Sequence, residues 1–541
     1  MSTTTAADTH VKLEANTNQA LGIAQYAIDF LSDDPAKRGE PDASVLERTN
    51  MFFTDAVLCG LSALALKTNA PTVLRDEALQ YPVTDATHRL GKAIQRGATV
   101  FGSNVQVQPE KAALANGSAV REWDSNGTNF GYNPQLGHTA GEFGHNDFYG
   151  VCIAGAQMGG HDGAYALKAM ICLDEIRGRL AEVFSLKTYK VDHVVHGAIG
   201  SAAVFGAMLG ATAEQIESAI GMVVAHYIPF RAIRAGKQLS DSKGASAAIS
   251  TEVAIMSVRR SMNGFMGPRD IFRNPEAIFR IFEGPGQMFE AVGTDKANTK
   301  QADASPFDLV LGRAGSDFAV MGMHFKLGLY EHQSAGALQA LLDLLKKAPH
   351  LLDDESGSKI KTIKITAYEP AFGIIGDPAK RNPTTRQSAD HSMVYIVATL
   401  LRKALSQQTS DWKTLMLEPY DFDANAIKNE RTRSLMEKIE FFHGGEDYDK
   451  RYPDGIPTSL IIEDTDGTEF DSGMVMYPAG HARNTEADLK GILAHKFDLL
   501  GKLAFEDPGP IVARFDGLAE KSVEEVASIN DFEIQTRDGF E

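Results

Sequence analysis

The densest run of groups able to move protons lies at residues 121–147, REWDSNGTNFGYNPQLGHTAGEFGHND, which gathers Asp124, Thr128, His138, Glu142, His145 and Asp147. Imidazole exchanges a proton near neutral pH and a carboxylate can orient it, so the composition suits general acid–base chemistry. The steps Gly137-His138 and Gly144-His145 permit close backbone approach to a ligand. A long solvated loop would have the same composition, and the stretch alone does not separate the two readings. A second run, RAIRAGKQLSDSK at residues 231–243, holds Arg231, Arg234, Lys237 and Lys243. Guanidinium forks grip carboxylates with two hydrogen bonds, and a buried lysine can change protonation state. This run is therefore a candidate anion holder, with a solvated basic face as the plain alternative. Asp192-His193 and His196 open an apolar run, where histidine is more often structural than catalytic. Lys326 stands in HFKLGLYEHQSAGA, close to Tyr330, Glu331 and His332.

Several familiar chemistries lose their support. The chain has no Gly-x-Gly-x-x-Gly following a strand, no Walker loop, no His-Glu-x-x-His and no Gly-x-Ser-x-Gly. Ser240-Asp241-Ser242-Lys243 fits Ser-x-x-Lys formally, but without Ser-Asp-Asn or Lys-Thr-Gly partners it reads as chance. Cys59, Cys152 and Cys172 are widely spaced, with no Cys-x-x-Cys pair for zinc or an iron–sulfur cluster. Each sits in an apolar stretch, so buried thiols in a reducing compartment are expected.

Such residues need a scaffold, and the first 300 or so positions read as mostly α. Helical patterns are expected over about Asn18 to Leu66, Asp147 to Leu186, Asp192 to Leu209, Ala213 to Ala225 and Ala245 to Met262. Between Gly264 and Ser316 the texture turns to Gly, Pro, Asn and aromatic residues, including EGPGQMF, which marks irregular connections. Alternating runs then appear at Ile360 to Ala367 and Ser459 to Glu463. The second is followed by the turn Asp464-Thr465-Asp466-Gly467 and a further run, which predicts a hairpin. Helical patterns at Ser334 to Lys347 and His391 to Leu405 lie between these strands, and others follow at Glu486 to Ala504 and Ser522 to Ile529. The expected fold is mainly α with a second α+β domain. Residues 1–310 form the first part of the helical domain, 311–484 the α+β domain, and 485–541 helices returning to the first.

With 541 residues, 43% hydrophobic and 23% charged, the chain has material for a large core. Its formal net charge of −18 repels nucleic acid and anionic lipid, so neither is an expected partner. The same field repels an anionic substrate, which therefore demands a local basic cluster. The first twenty residues carry one Lys, no Arg and no apolar core, so no secretory signal or obvious transit peptide is expected there. The uncharged run Val194 to Ala213 is long enough to span a bilayer, but its Gly, Ala, Ser and His196 suit a buried helix. A cytoplasmic location is expected, with the mitochondrial matrix as the alternative.

Several segments together resemble the MmgE/PrpD family over roughly residues 18 to 505. They are Phe52 to Gly60 (FFTDAVLCG), Leu114 to Gly117 leading to Asp124 to Thr128, Gly144-His145, Asp192-His193-Val194, Ala389 to Ser392 with Tyr395, Asp466 to Thr468 and Tyr477 to Arg483. The resemblance implies a large helical domain with a smaller α+β lid, an active site between them, a homodimer, no metal and no other cofactor. It implies a lyase that removes water from a small tricarboxylate of the methylcitrate type. Decarboxylation at the same site, or a helical scaffold that binds carboxylates without chemistry, are the alternatives. Carried over by position, the active-site Asp and Thr fall on Asp124 and Thr128, the loop His on His145, the helix-start His on His193 and the lid Lys on Lys326. The chain departs from the family where His145 is followed by Asn146-Asp147, so His138 competes with it. Lys237 competes with Lys243, and Glu331 with His332. The expected catalytic set is His145, Asp124, Lys243, Lys326 and His193, with Thr128, Arg234, Lys237, His138 and His332 binding substrate. In it His145 is oriented by Asp124 and acts as acid or base, while the cations hold carboxylates.

Overall fold

The computed structural model describes residues 9–83, 97–234, 239–281 and 304–540. The EGPGQMF run and Lys237 lie outside the described residues.

The chain is mainly α. Its helical body is centred on Val194–Met208, which is buried along nearly its whole length. Small residues make that position possible: a Cβ on Gly197 would enter the Phe148 ring, and one on Gly200 would stand 3.3 Å from the Leu173 carbonyl oxygen. The helices Gly163–Val183 and Asp241–Met262 close against it. Pro109–Glu122 lies antiparallel to Asp241–Met262, as three points along the pair show. Glu110 meets Arg259 at 2.6 Å, Gly117 faces Ala248, and the segment just past Glu122 meets Lys243. The end of one helix and the start of the other thus deliver Arg121, Asp124 and Lys243 to one place.

The expected helix from Asn18 to Leu66 is two, Gln19–Phe30 and Ala43–Ala65, because the intervening Asp-Pro and Gly-Glu-Pro steps cannot continue it. The stretch from Asp147 to Leu186 likewise divides into Tyr149–Gly159 and Gly163–Val183. Gly160 turns left-handed at φ 68°, and the Asp162 side chain accepts from the Tyr165 N–H at 2.9 Å to start the second helix. Asn69–Leu79, Pro109–Glu122 and the strand Ile439–His443 were not expected.

Residues 304–322 stay on this body. Leu309–Gly312 pairs antiparallel with His10–Leu13, and Glu175, from Gly163–Val183, accepts the N–H groups of Gly312 (2.5 Å) and Ala319 (2.6 Å). Further along, a four-stranded sheet runs in the order Ile439–His443, Ile360–Ala367, Thr458–Asp464, Glu469–Asp471. Its first pair is parallel and the other two antiparallel. Ile363, Ile365, Leu460 and Ile462 are buried, and the helices Ala335–Lys347 and Met393–Gln407 pack nearby. The opposite face carries Lys361 against Glu463 at 2.6 Å and Lys364 against Glu469 at 2.9 Å.

Leu489–Ala504 returns to pack on Ala43–Ala65. Its buried Lys496 donates to Asp55 (2.6 Å), to the Ser125 carbonyl (2.7 Å) and to the Lys326 carbonyl (2.8 Å). One ammonium therefore ties together the two loops that carry Asp124 and Lys326. The three cysteines are free and buried, and burial pushes the Cys59 thiol up to about 12. Among the described residues no single helix is long and apolar enough to cross a membrane. One pair, Ala43–Ala65 with Asn69–Leu79, passes by length and composition but is bent by 91°.

Candidate active site

Asp124 leaves the end of Pro109–Glu122 and is fixed from behind by its neighbour Trp123. The buried indole N–H donates to Ser62 Oγ at 2.9 Å, and the Arg386 guanidinium covers the ring at 4.9 Å. Four basic groups meet the Asp124 carboxylate: Arg121 at 3.0 Å, His391 Nε2 at 3.1 Å, Lys243 at 3.4 Å, and Lys326 in direct contact. Burial alone would raise its pKa, but Arg121, Lys326, Lys243 and His391 together hold it well below the usual carboxylate range. Asp390 is the second anion, taking Lys243 at 3.2 Å and His391 Nδ1 at 2.6 Å. His391 can donate to both carboxylates only as imidazolium. Burial and the Lys243 ammonium push its pKa down to about 4, which leaves the neutral ring one proton for the two.

His145 reaches this cluster on a short hairpin. Phe143–His145 pairs with Thr128–Phe130 in the register Thr128↔His145, and the Thr128 hydroxyl donates to the Gly144 carbonyl at 2.8 Å. Thr128 therefore fixes the strand that carries His145. A Cβ on Gly144 would collide with the Asn129 side chain, so the neighbour of His145 has to be glycine. The expectation that Asp124 orients His145 directly is corrected: Arg121 stands between them, donating to Asp124 and reaching His145 Nε2 at 3.4 Å. Nδ1 of His145 has no partner among the described residues. Burial, then Arg121, Lys326 and His193, push the His145 pKa well below its ordinary value, so the ring is neutral.

His193 lies beside it with ring centroids 5.3 Å apart, and neither of its nitrogens is hydrogen-bonded among the described residues. Arg234 does not reach Asp124. It forks onto Asp192 at 2.5 and 3.2 Å and steadies the start of the His193 helix, so the structure does not bring it into the cluster. Lys326 belongs to the cluster and, through Asp124, to the helical body. It rests on a loop that Gly480 makes possible, with φ +89° and a Cβ position inside van der Waals distance of the Phe325 carbonyl. Phe325 N–H donates to Gly480 O, and Ala482 N–H to His324 Nδ1, both at 2.9 Å. His332 is buried and stacked on His324 at 5.0 Å, with both ring nitrogens unpartnered among the described residues. Lys326 lies near enough to depress the pKa of both His145 and His332.

His138 stands apart. Its Nδ1 meets Glu182 at 3.0 Å, Arg179 also holds Glu182, and a backbone bridge to Asn133 closes its turn. The geometry therefore assigns it to a separate ion network and not to the cluster around Asp124.

The structure adds groups that the sequence did not single out. Lys187 and Lys380 are part-buried and make no ion pair among the described residues; Arg231, already marked in the basic run 231–243, is in the same condition. Burial lowers the pKa of each. Lone lysines in turns carry no pattern, so nothing in the sequence marks Lys187 or Lys380. The Asp390-His391 step was visible, but the contact of His391 with Asp124 joins residues 267 positions apart.

Asp124, Asp390 and His391 also bring possible ligand atoms within 4.8 Å of one another. Both carboxylates are already occupied by Lys326 and Lys243, and a divalent ion would have to displace those ammonium groups. The donor set is that of an ion-pair network.

Residues 23–290 match the MmgE/PrpD N-terminal domain, and residues 330–507 the MmgE/PrpD C-terminal domain. The chain is 26% identical over 432 residues to 2-methylcitrate dehydratase of Escherichia coli K12, covering 76% of this chain and 80% of the relative. It is 27% identical over 494 residues to the mitochondrial 2-methylcitrate dehydratase of Yarrowia lipolytica, covering 88% and 82%. It is 25% identical over 463 residues to an alkylcitrate dehydratase from a fungal species, covering 80% and 81%.

Proposed function

We propose, from the premise that this chain belongs to the MmgE/PrpD family, that it is a hydro-lyase removing water from 2-methylcitrate to give 2-methyl-cis-aconitate. The observation that carries this reading is the meeting of Asp124, Lys243, Lys326 and Arg121 beside a neutral His145 whose Nδ1 has no protein partner among the described residues. The dehydratase names of the relatives support it.

Elimination takes a proton from carbon beside a carboxylate while a tertiary hydroxyl leaves. The carbon acid is weak, so negative charge growing on the neighbouring carboxylate needs fixed cations that do not have to reorganise. Lys243 and Lys326 are so fixed, each clamped by a buried Asp. Lys187, Lys380 and Arg231 supply charge not yet paired, which offsets the acidic exterior. His145, neutral at physiological pH, accepts the proton. A bound trianion raises its pKa, so the ring becomes a better base once the substrate has arrived. The sheet-bearing segment acts as a lid, because its loops deliver Lys326 and His332 opposite the helical body. The reading carries a homodimer, checked by light scattering, in the cytoplasm or mitochondrial matrix, checked by fractionation.

The test is incubation with 2-methylcitrate stereoisomers, citrate and cis-aconitate, reading the new conjugated double bond and product mass. One methylcitrate isomer is expected to lose water, with the rate unchanged by EDTA. Carbon dioxide release from cis-aconitate as the faster reaction would replace dehydration by decarboxylation, and loss of rate on chelation would contradict cation-only catalysis.

A further inference from the structure

Dehydration also needs a proton donor for the departing hydroxyl, and the neutral imidazoles of the site are poor ones. We propose that the carboxylic acid of Glu331 donates that proton. This assignment rests on the dehydratase reading above.

Glu331 follows Lys326 by five residues, at the turn that opens the Ala335–Lys347 helix. Its N–H donates to the Asp390 carbonyl at 2.9 Å, which holds it against the loop carrying His391. Oε2 accepts from the Gln333 N–H at 2.8 Å, whereas Oε1 has no hydrogen-bond partner among the described residues. The side chain is part-buried and is not sealed in the core. The groups within electrostatic reach come from every surrounding element. Asp124 follows the Pro109–Glu122 helix, Lys326 precedes it in its own segment, and Lys380 and Lys187 stand on separate turns. Tyr368 follows the Ile360–Ala367 strand, and Tyr452 follows Glu446–Asp449. The Tyr368 and Tyr452 hydroxyls have no hydrogen-bond partner among the described residues, so polar atoms converge around this carboxyl.

Burial and the Asp124 anion push the Glu331 pKa up to about 7, against the opposing pull of Lys326. A carboxyl poised there still holds a proton near neutrality and surrenders it readily. The step balances. His145 takes the proton from carbon, and the electron pair of that bond forms the double bond. The carbon–oxygen bond breaks with its electrons going to oxygen, which takes the Glu331 proton and leaves as water. The resulting imidazolium and carboxylate exchange the proton back through solvent.

Glu331→Gln keeps the shape and removes the acid. It is expected to lower kcat by about 10²–10⁴-fold. Binding of tricarballylate, which lacks the hydroxyl, should stay within about threefold, as neutral Gln replaces neutral Glu. In wild type, kcat/KM should fall as pH rises through about 7, and the variant should lose that limb. Glu331→Asp should retain the limb at reduced kcat, which separates acid chemistry from a structural role if the Gln variant folds poorly. Wild-type kcat in Glu331→Gln, an unchanged alkaline limb, or a loss of rate matched by loss of tricarballylate binding each overturn the assignment. A wild-type protein that dehydrates no tricarboxylate would instead overturn the functional reading itself.

Discussion

His145→Gln is expected to lower kcat by about 10²–10⁴-fold while the thermal midpoint stays within a few degrees of wild type. The loss is catalytic because the hairpin holding His145 does not depend on its ring. The Thr128↔His145 pairing is made by backbone, and the Thr128 hydroxyl bonds the Gly144 carbonyl. The one polar contact of the ring, Arg121 at 3.4 Å, is long, and Gln can replace it. Parallel measurement of kcat and of unfolding by circular dichroism checks this. A variant with wild-type kcat removes His145 from the chemistry, and one that unfolds early makes it structural.

Asp124→Ala is expected to damage both activity and stability. The carboxylate meets the part-buried, neutral His391 ring and is the common anion of Arg121, Lys243 and Lys326, all buried. Deleting it leaves those cations facing one another in a medium that solvates them poorly. Breaking a buried pair from one side costs about 3–5 kcal/mol. The folded pKa of Asp124 is depressed, so its contribution is complete above the unfolded carboxylate value and disappears as pH falls through the folded one. Wild type should thus lose stability on acidification in a way that the Ala variant does not. Denaturant unfolding across the acid range reads both quantities. Equal stability of the two proteins at neutral pH would show that the cluster is not held by this carboxylate.

How much of this was legible in the sequence depends on how local the signal is. Val194–Met208 announces itself as an uncharged run and Ile360–Ala367 by alternation. The hairpin from Thr458 to Asp471 follows from Asp464-Thr465-Asp466-Gly467, since Gly467 adopts φ 82° there. Pro109–Glu122 was missed because its buried residues are mostly Ala, Gly, Ser and Asn, with Leu114 and Val120 as its only large apolar side chains apart from the N-terminal proline, which leaves little apolar contrast. Arg121 was consequently taken as the start of a loop and not as the last turn of a helix aimed at Asp124. Ile439–His443 escaped because five residues make a weak pattern and its partner lies 76 positions earlier.

At the site, the residue types were legible and the pairings were not. Asp124, His145, Lys243 and Lys326 were singled out and stand together. Which neighbour turns inward depends on distant partners: Glu182 draws His138 away, and Asp192 captures Arg234. The bridging place of His391 and the unpaired state of Lys187 and Lys380 exist only in three dimensions.

The claim beneath all of this is that buried ammonium groups converge to hold a trianion inside an acidic protein. Calorimetric titration of tricarballylate into wild type, Lys326→Met and Lys243→Met tests it most directly. Salt-sensitive binding is expected, weakened about 10–100-fold in each variant, the size of a lost hydrogen bond to a charged group. Equal affinity in all three proteins, or binding indifferent to salt, would contradict the account.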